Sequence, residues 1–145
     1  MRCKRCGHQP EDTAKFCAEC GLLLKDPHVD DRILLAFASA RDGNQKDARK
    51  ELVRLLEADP DNALANQLLG TLYFKQGTLD LAIECYEKAL SIAPSFIVAA
   101  YDLGVAWYHR GNMLEAITAF RRCLAIDPDY NAAHYRLAVA LFHAG

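Results

Sequence analysis

The sequence predicts an all-α protein, a solenoid of stacked helix pairs with a small cysteine-rich module at its N-terminus. Prolines recur every 34 residues, as Pro60, Pro94 and Pro128, and a fixed period of about 20–50 residues is typical of stacked repeats. Four of the six cysteines fall within the first 20 residues. This uneven distribution indicates that the N-terminal end is organised differently from the rest of the chain.

Composition and charge narrow the classes of function. The chain has 145 residues, of which 52% are hydrophobic and 25% charged, as in ordinary globular proteins. A net charge of −2 gives no electrostatic reason to bind nucleic acid or an anionic membrane. We find no apolar run of about 18 residues that could span a bilayer and no signal peptide. We therefore expect a cytoplasmic protein, in which cysteines serve more often as metal ligands than in disulfides.

The repeat is visible as direct self-similarity. Residues 63–96 and 97–130 share nine identities in 34 columns, and residues 131–145 match 97–111 at seven of 15 positions. Aromatic character is also kept between equivalent positions, as at Tyr73 and Trp107. The last stretch therefore corresponds to the first half of one more repeat.

Each period is expected to contain two helices. Apolar residues at helical spacing mark one helix from Asn66 to Lys75 and a second from Leu79 to Ile92. Gly77 supplies the positive φ of the turn between them, and Pro94 ends the second helix. Aspartates after the closing prolines, such as Asp61, are expected to cap the next helix.

This pattern resembles the tetratricopeptide repeat family over about residues 29–145. The resemblance rests on four sets of positions. These are the small residues at the helix crossings (Ala36, Gly70, Gly104 and Ala138), their aromatic neighbours (Tyr73 and Trp107), the alanines of the second helices (Ala48, Ala82 and Ala116) and the bulky residues of the second helices (Leu52, Tyr86 and Phe120). The first repeat departs most, with Ser39 in place of an aromatic residue and Leu55 in place of alanine. The resemblance implies a right-handed α-solenoid with repeats at 29–62, 63–96 and 97–130 and a final helix at 131–145.

The resemblance also implies an inner groove, lined by the first helix of each pair, that binds a peptide or protein segment. Carried over by position, the lining residues are Ile33, Phe37, Leu64, Gln67, Thr71, Phe74, Lys75, Val98, Tyr101, Asp102, Val105, Tyr108, His109, Tyr135, Arg136, Val139, Phe142 and His143. Those we assign to partner binding are Gln67, Thr71, Phe74, Tyr101, Asp102, Tyr108, His109, Tyr135 and Arg136. The alternative is that several of these side chains pack between neighbouring helices.

The residues of this groove do not favour binding of a C-terminal carboxylate. One tetratricopeptide subfamily holds a C-terminal carboxylate with lysine, asparagine and arginine, whereas the same positions here carry mainly isoleucine, phenylalanine, leucine, valine and tyrosine. We expect no such clamp, although Arg136 could pair with one acidic group. The aromatic residues suit an apolar anchor on the partner.

The final predicted helix, from Asn131 to Ala144, has no second helix after it. Leu137 and Leu141 occupy positions that a partner helix would cover. We expect either self-association through this helix or a longer chain of which this sequence is a part.

The N-terminal cysteines form two copies of Cys-x-x-Cys-Gly, Cys3 to Gly7 and Cys17 to Gly21. Two thiolates at this spacing reach one ion from a tight turn, and four thiolates suit structural Zn²⁺. So short a segment cannot bury a sufficient core, and the metal is expected to supply its folding energy. Residues 1–22 resemble the short N-terminal zinc ribbons of bacterial and archaeal proteins. We assign residues 1–25 to this ribbon, 26–28 to a linker and 29–145 to the repeats.

Other interpretations of the N-terminal module remain open. Iron can occupy four thiolates, as in a rubredoxin-like electron-transfer site. Arg2, Lys4 and Arg5 form a small basic cluster that could contact RNA or DNA while the repeats recruit protein, although the module lacks aromatic residues for stacking on bases.

No catalytic motif is present in the sequence. We find no Ser/His/Asp set and no glycine-rich phosphate loop, and we interpret Cys85 and Cys123 as core residues. The leading hypothesis is a non-catalytic adaptor with a structural zinc ribbon, and the alternative is a nucleic-acid-associated protein.

Overall fold

The structure is a computed structural model that describes residues 2–3, 5–9, 17–20 and 43–145. Residues 43–145 contain six α-helices and no strand. The helices are α1 (Gln45–Ala58), α2 (Ala63–Lys75), α3 (Leu79–Ile92), α4 (Ile97–Arg110), α5 (Met113–Ile126) and α6 (Asn131–Ala144). The all-α helical repeat fold is therefore confirmed. The predicted first helix of the first repeat, with Ile33 and Phe37, lies outside the described residues.

The helix boundaries follow the sequence signals closely. Helices α3 and α6 begin and end at the predicted residues, whereas α2 begins at Ala63, three residues before the predicted start. The N-cap of α2 is Asn62, whose side-chain Oδ1 accepts a hydrogen bond from the Ala65 backbone N–H at 3.0 Å. The prediction that Asp61 caps this helix is therefore wrong, because the next residue supplies the oxygen.

The turns inside each helix pair depend on glycine. Gly77 and Gly111 have φ values of +81° and +92°, which only glycine adopts at little cost. At the first turn, the Gly77 N–H donates to the Phe74 carbonyl and the Thr78 N–H donates to the Tyr73 carbonyl, both at 3.0 Å. These bonds satisfy the last carbonyls of α2 and reverse the chain into α3.

The helices of a pair cross closely at a small residue, as the sequence indicates. A Cβ atom at Gly70 would lie 2.8 Å from Cε1 of Tyr86. Only 2% of the surface of Tyr86 is exposed, so its ring fills the space that the glycine leaves. Gly70 therefore sets the distance between α2 and α3.

The core runs along the solenoid between the two layers of helices. One cluster extends from Ala82 and Tyr86 of α3 to Ala99 and Leu103 of α4 and Cys123 of α5, so each helix shares apolar contacts with the next. Helix α2 contacts α4, and α4 contacts α6, more extensively than any two of the described second helices contact each other. We refer to the surface formed by the first helices α2, α4 and α6 as the inner surface.

The final helix is only partly covered. Leu137 is partly buried and packs against a cluster that contains Ile117 and Phe120 of α5. Leu141 is 43% exposed and does remain accessible. None of the described helices is long and apolar enough to cross a membrane.

Candidate functional site

The four N-terminal cysteines lie together as one cluster. The Sγ atoms of Cys3, Cys6, Cys17 and Cys20 all lie within 4.8 Å of one another. Cys3 Sγ is 3.5 Å from Cys20 Sγ, and Cys6 Sγ is 3.4 Å from Cys17 Sγ. Four thiolates at about 2.3 Å from one tetrahedral ion would lie roughly 3.8 Å apart. The four side chains fit this arrangement and could hold a metal ion.

The backbone of the first Cys-x-x-Cys-Gly copy shapes this cluster. The Gly7 N–H donates to the Cys3 carbonyl at 2.9 Å, and the Cys3 N–H donates to the His8 carbonyl at 2.8 Å. Gly7 has a φ of +74°, which the tight turn requires. Burial raises the pKa of the Cys3 thiol, but hydrogen bonds from the backbone of Cys6 and Arg5 lower it, and the resulting pKa is about 6.

The cysteine cluster faces the helical array across a cleft, a placement that the sequence did not predict. An open cleft of about 620 Å³ separates the two parts. From the N-terminal module it is lined by Cys6, Gly7, His8, Glu19 and Cys20, and from the array by Ser95, Arg122, Ala125 and Ile126. The Arg122 guanidinium donates to the Pro94 carbonyl at 3.1 Å. The module therefore stands beside the α3–α4 loop and the end of α5.

The inner surface carries a network of polar side chains between α2 and α4. Gln67 is 7% exposed, and its Nε2 donates to Asp102 Oδ2 at 2.8 Å and to Thr71 Oγ1 at 3.2 Å. Thr71 Oγ1 also lies 3.1 Å from the hydroxyl of Tyr86, which reaches this network from α3. Burial raises the pKa of the Asp102 carboxyl, and the hydrogen bond from Gln67 partly offsets this effect. Three predicted groove residues thus form one connected unit.

A second set of contacts joins α4 to α6. Arg136 Nε donates to the Tyr101 hydroxyl at 3.3 Å. The Tyr101 ring also lies 6.0 Å from the ring of Phe120 and 5.7 Å from that of Tyr130, measured between centroids. Tyr101 is therefore partly a packing residue, as the alternative interpretation of the groove allows.

A continuous chain of rings crosses the C-terminal ends of α2, α4 and α6. The Phe74 centroid lies 5.3 Å from that of His109, and Tyr108 lies 5.8 Å from His109 and 5.7 Å from His143. Phe142 extends the chain at 5.6 Å from His143. The two histidines are thus connected through Tyr108 rather than paired with each other. Edge-on ring contacts of this kind hold side chains in defined positions.

Some predicted groove residues remain accessible. Phe142 is 82% exposed and Tyr135 is 68% exposed, and Val98 is 37% exposed. Large exposed aromatic side chains on one surface are typical of interaction sites. By contrast, Gln67 is only 7% exposed.

The two remaining cysteines are parts of the helical layers. Cys123 is 0% exposed, and burial raises the pKa of its thiol to about 12. Cys85 is half-buried on α3, and burial raises its pKa to about 11. Neither thiol is activated for nucleophilic chemistry, which requires a lowered pKa.

The geometry defines an α-solenoid of helical hairpins, a class of protein that presents an extended inner surface for binding. Family models described as tetratricopeptide repeat match residues 63–96 and 98–130. These residues are therefore tetratricopeptide repeats, which confirms the resemblance for the part of the chain they cover. Repeats of this kind serve protein–protein interaction.

Solved structures show the same fold. A MamA crystal structure is 25% identical, with a TM-score of 0.77 over 83% of this chain and 71% of its own. The first TPR of Spaghetti (RPAP3), bound to the HSP90 peptide SRMEEVD, is 19% identical, with a TM-score of 0.75 over 77% of this chain and 89% of its own. At this identity the likeness shows the fold alone.

A longer protein also contains a similar array. A mutant of the Thermobaculum terrenum O-GlcNAc transferase is 31% identical with a TM-score of 0.70, and the match covers 77% of this chain and 21% of the transferase. The similarity therefore concerns a fifth of that enzyme. Comparison with curated proteins gave no match.

Proposed function

We propose that this protein is a non-catalytic adaptor that holds a peptide or protein segment on the inner surface formed by α2, α4 and α6. The observation that carries this proposal is the combination on one surface of fixed polar groups, Gln67 and Asp102, with exposed aromatic side chains, Tyr135 and Phe142. Aromatic anchors supply most of the binding energy at many interfaces. Fixed polar groups select among partners because leaving them unpaired on binding is costly.

The comparisons support the proposal at the level of the fold. The RPAP3 domain was solved with a peptide bound, so an array of this size is long enough to hold one. The inner-surface positions of α2, α4 and α6 carry mainly leucine, valine, phenylalanine and tyrosine rather than the lysine, asparagine and arginine of a carboxylate clamp. We therefore propose a groove that binds by apolar anchors and internal side chains rather than by a free C-terminus.

The test is capture of partners from a native cell extract by the full chain and by a double variant, Tyr135→Ala with Phe142→Ala. Both side chains are more than half exposed, so the variant is expected to fold normally and to lose the captured proteins. The matched control is Leu81→Ala with Leu114→Ala, which removes two exposed apolar side chains, 41% and 74% exposed, from the second helices α3 and α5. Equal capture by both variants would show that the inner surface is not the binding site.

We also propose that the four clustered cysteines hold a structural Zn²⁺ and that residues 1–25 form a zinc ribbon. The spacing of the Sγ atoms and the turn at Gly7 support this assignment. Four thiolates complete a closed tetrahedral set and leave no open position for substrate. The ion would supply the folding energy of the module, and the cysteines would stay ionised as its ligands.

A further inference from the structure

Asp102 is the acidic residue of the inner surface, and its carboxylate is held in a fixed position. It lies on α4 and receives the hydrogen bond from Gln67 Nε2 at 2.8 Å through Oδ2. Gln67 is 7% exposed and is itself bonded to Thr71, so the donor cannot move away. The other carboxylate oxygen, Oδ1, has no hydrogen bond within residues 43–145, and every buried polar side-chain atom there has a partner. Oδ1 therefore reaches solvent.

No basic group of residues 43–145 neutralises this carboxylate. Within residues 43–145, no lysine or arginine forms an ion pair with Asp102, and no cation contributes to its pKa. Arg136, the arginine of the same surface, donates its Nε to the Tyr101 hydroxyl instead. The inner surface thus contains a half-buried negative charge with which no lysine or arginine of residues 43–145 forms an ion pair.

The surroundings of Asp102 on α4 are apolar. Val98 lies one helical turn before it and Val105 one turn after it, and such neighbours share a helix face. Val98 is 37% exposed, and Val105 is partly buried beside Tyr108 in the cluster around α5. A segment that packs on these valines must therefore cover the carboxylate as well.

Covering Asp102 has a consequence for the choice of partner. Removing water from a carboxylate is strongly unfavourable unless an opposite charge or hydrogen-bond donors replace it. A neutral apolar segment would leave Oδ1 unpaired, and an acidic segment would add a repulsive charge. A lysine or arginine side chain avoids both penalties, because its alkyl stem packs on apolar surface while its charged end pairs with the carboxylate.

We propose that the inner surface selects a partner segment in which a lysine or arginine pairs with Asp102 and adjacent apolar side chains pack on Val98 and the exposed rings of α6. This inference rests on the proposed adaptor function and specifies the chemistry of its ligand. We place the basic residue within the segment, because the inner-surface positions of α2, α4 and α6 carry few of the basic residues that would hold a terminal carboxylate.

The experiment begins with selection of peptides from a random phage-displayed library on the immobilised full chain. Selected peptides are expected to share one basic position beside apolar residues. A synthetic peptide and its lysine-to-norleucine counterpart are then titrated against the wild type, Asp102→Asn and the control Glu87→Gln, an exposed acid on α3. Asp102→Asn should weaken binding of the lysine peptide about tenfold or more and barely change that of the norleucine peptide. Glu87→Gln should bind both peptides like the wild type.

The outcomes separate this inference from the adaptor function. Selected peptides without a common basic position, or equal affinity of the lysine peptide for wild type and Asp102→Asn, would overturn the role of Asp102. The adaptor function would survive that result if Tyr135→Ala with Phe142→Ala still abolished binding. Peptides that bind this double variant like the wild type, or a library that gives no binders, would overturn both. Because asparagine keeps an oxygen that accepts from Gln67, Asp102→Asn should remain folded, and a thermal melt confirms this.

Discussion

A Cβ atom on Gly104 would lie 2.5 Å from Cε1 and 2.7 Å from Cδ1 of Phe120. Phe120 is 0% exposed, so its ring is enclosed by the surrounding side chains. The same position is Gly70 in the preceding repeat, opposite Tyr86, and Ala138 in α6, which is exposed. Glycine thus occurs at the two crossings where a second helix brings an aromatic ring.

We expect Gly104→Ala to lower the free energy of unfolding by about 1–3 kcal/mol, because the added methyl group overpacks the crossing of α4 and α5. Alanine favours a helix over glycine by about 1 kcal/mol, so helix propensity alone would make Gly104→Ala more stable. A loss of stability would therefore show that overpacking outweighs propensity. Urea unfolding measures it. The reciprocal control, Ala138→Gly, should also destabilise, through helix propensity alone. A more stable Gly104→Ala protein would show that the helices do not cross as closely as described.

Asp102 is expected to oppose folding at neutral pH. Burial raises its pKa in the folded state, so the folded protein binds this proton more tightly than the unfolded chain does. Protonation of Asp102 therefore stabilises the folded state, and this stabilisation is fully present below the pKa of the unfolded chain. It is lost as the pH rises from there through the higher pKa of the folded state. Asp102→Asn should therefore be at least as stable as wild type at about pH 7, and this advantage should disappear below the usual aspartate range of about 3.9. Urea titrations across this range test the prediction, and a markedly unstable Asp102→Asn protein at pH 7 would contradict it.

The Tyr86 hydroxyl on α3 joins the polar network of Gln67, Thr71 and Asp102 through Thr71. It lies 3.1 Å from Thr71 Oγ1, and Tyr86→Phe removes this hydrogen bond without changing the packing of the ring. We expect a loss of about 0.5–1.5 kcal/mol in the free energy of unfolding. Tyr73→Phe is the control, because within residues 43–145 its hydroxyl has no hydrogen-bond partner. Similar losses for both variants would mean that the hydroxyl of Tyr86 contributes nothing through Thr71.

The proposed metal centre predicts one Zn²⁺ per chain by elemental analysis of the purified protein. Cys17→Ser should abolish this stoichiometry, because Cys17 is fully buried within the cluster, whereas Cys85→Ser on α3 should retain it. The helical circular-dichroism signal should persist in Cys17→Ser, since the helices form their own core. Stoichiometric iron with visible colour would contradict zinc, and metal retained by Cys17→Ser would contradict the four-cysteine site.

The two helical cysteines should react slowly with iodoacetamide in the folded protein. Burial raises the pKa of Cys123 to about 12 and that of Cys85 to about 11, so thiolate is scarce at neutral pH. Both should react readily in denaturant, where burial is lost. Peptide mapping by mass spectrometry locates the modified residues. Rapid modification of Cys123 without unfolding would show that α5 opens locally.

The sequence predicted the helices well because each helix depends on residues that are close together in the chain. Leu79–Ile92 follows from apolar spacing and from the glycine and proline at its two sides, all of which lie within a few residues. The start of α2 was missed because Asn62, rather than the acidic residue before it, supplies the capping oxygen. Asparagine and aspartate can both serve as the N-cap, and the backbone geometry decides which of two neighbouring residues does so.

The side-chain contacts within the groove could not be predicted from the sequence, because they depend on how neighbouring repeats are arranged in space. Gln67 and Asp102 are 35 residues apart, and their contact requires the actual curvature of the array. The same separation recurs between Tyr101 and Arg136, so the repeat offset was an available signal. The placement of the N-terminal module across a cleft from Arg122 and Ile126 had no such signal, because the two parts have unrelated sequence patterns.

Tyr101 and Asp102 are consecutive on α4, yet they bond in opposite directions, one to Arg136 on α6 and the other to Gln67 on α2. A change in the pitch of the superhelix would stretch both bonds at once. We therefore expect these two bonds to oppose opening and closing of the array, so that a partner would meet a surface shaped in advance.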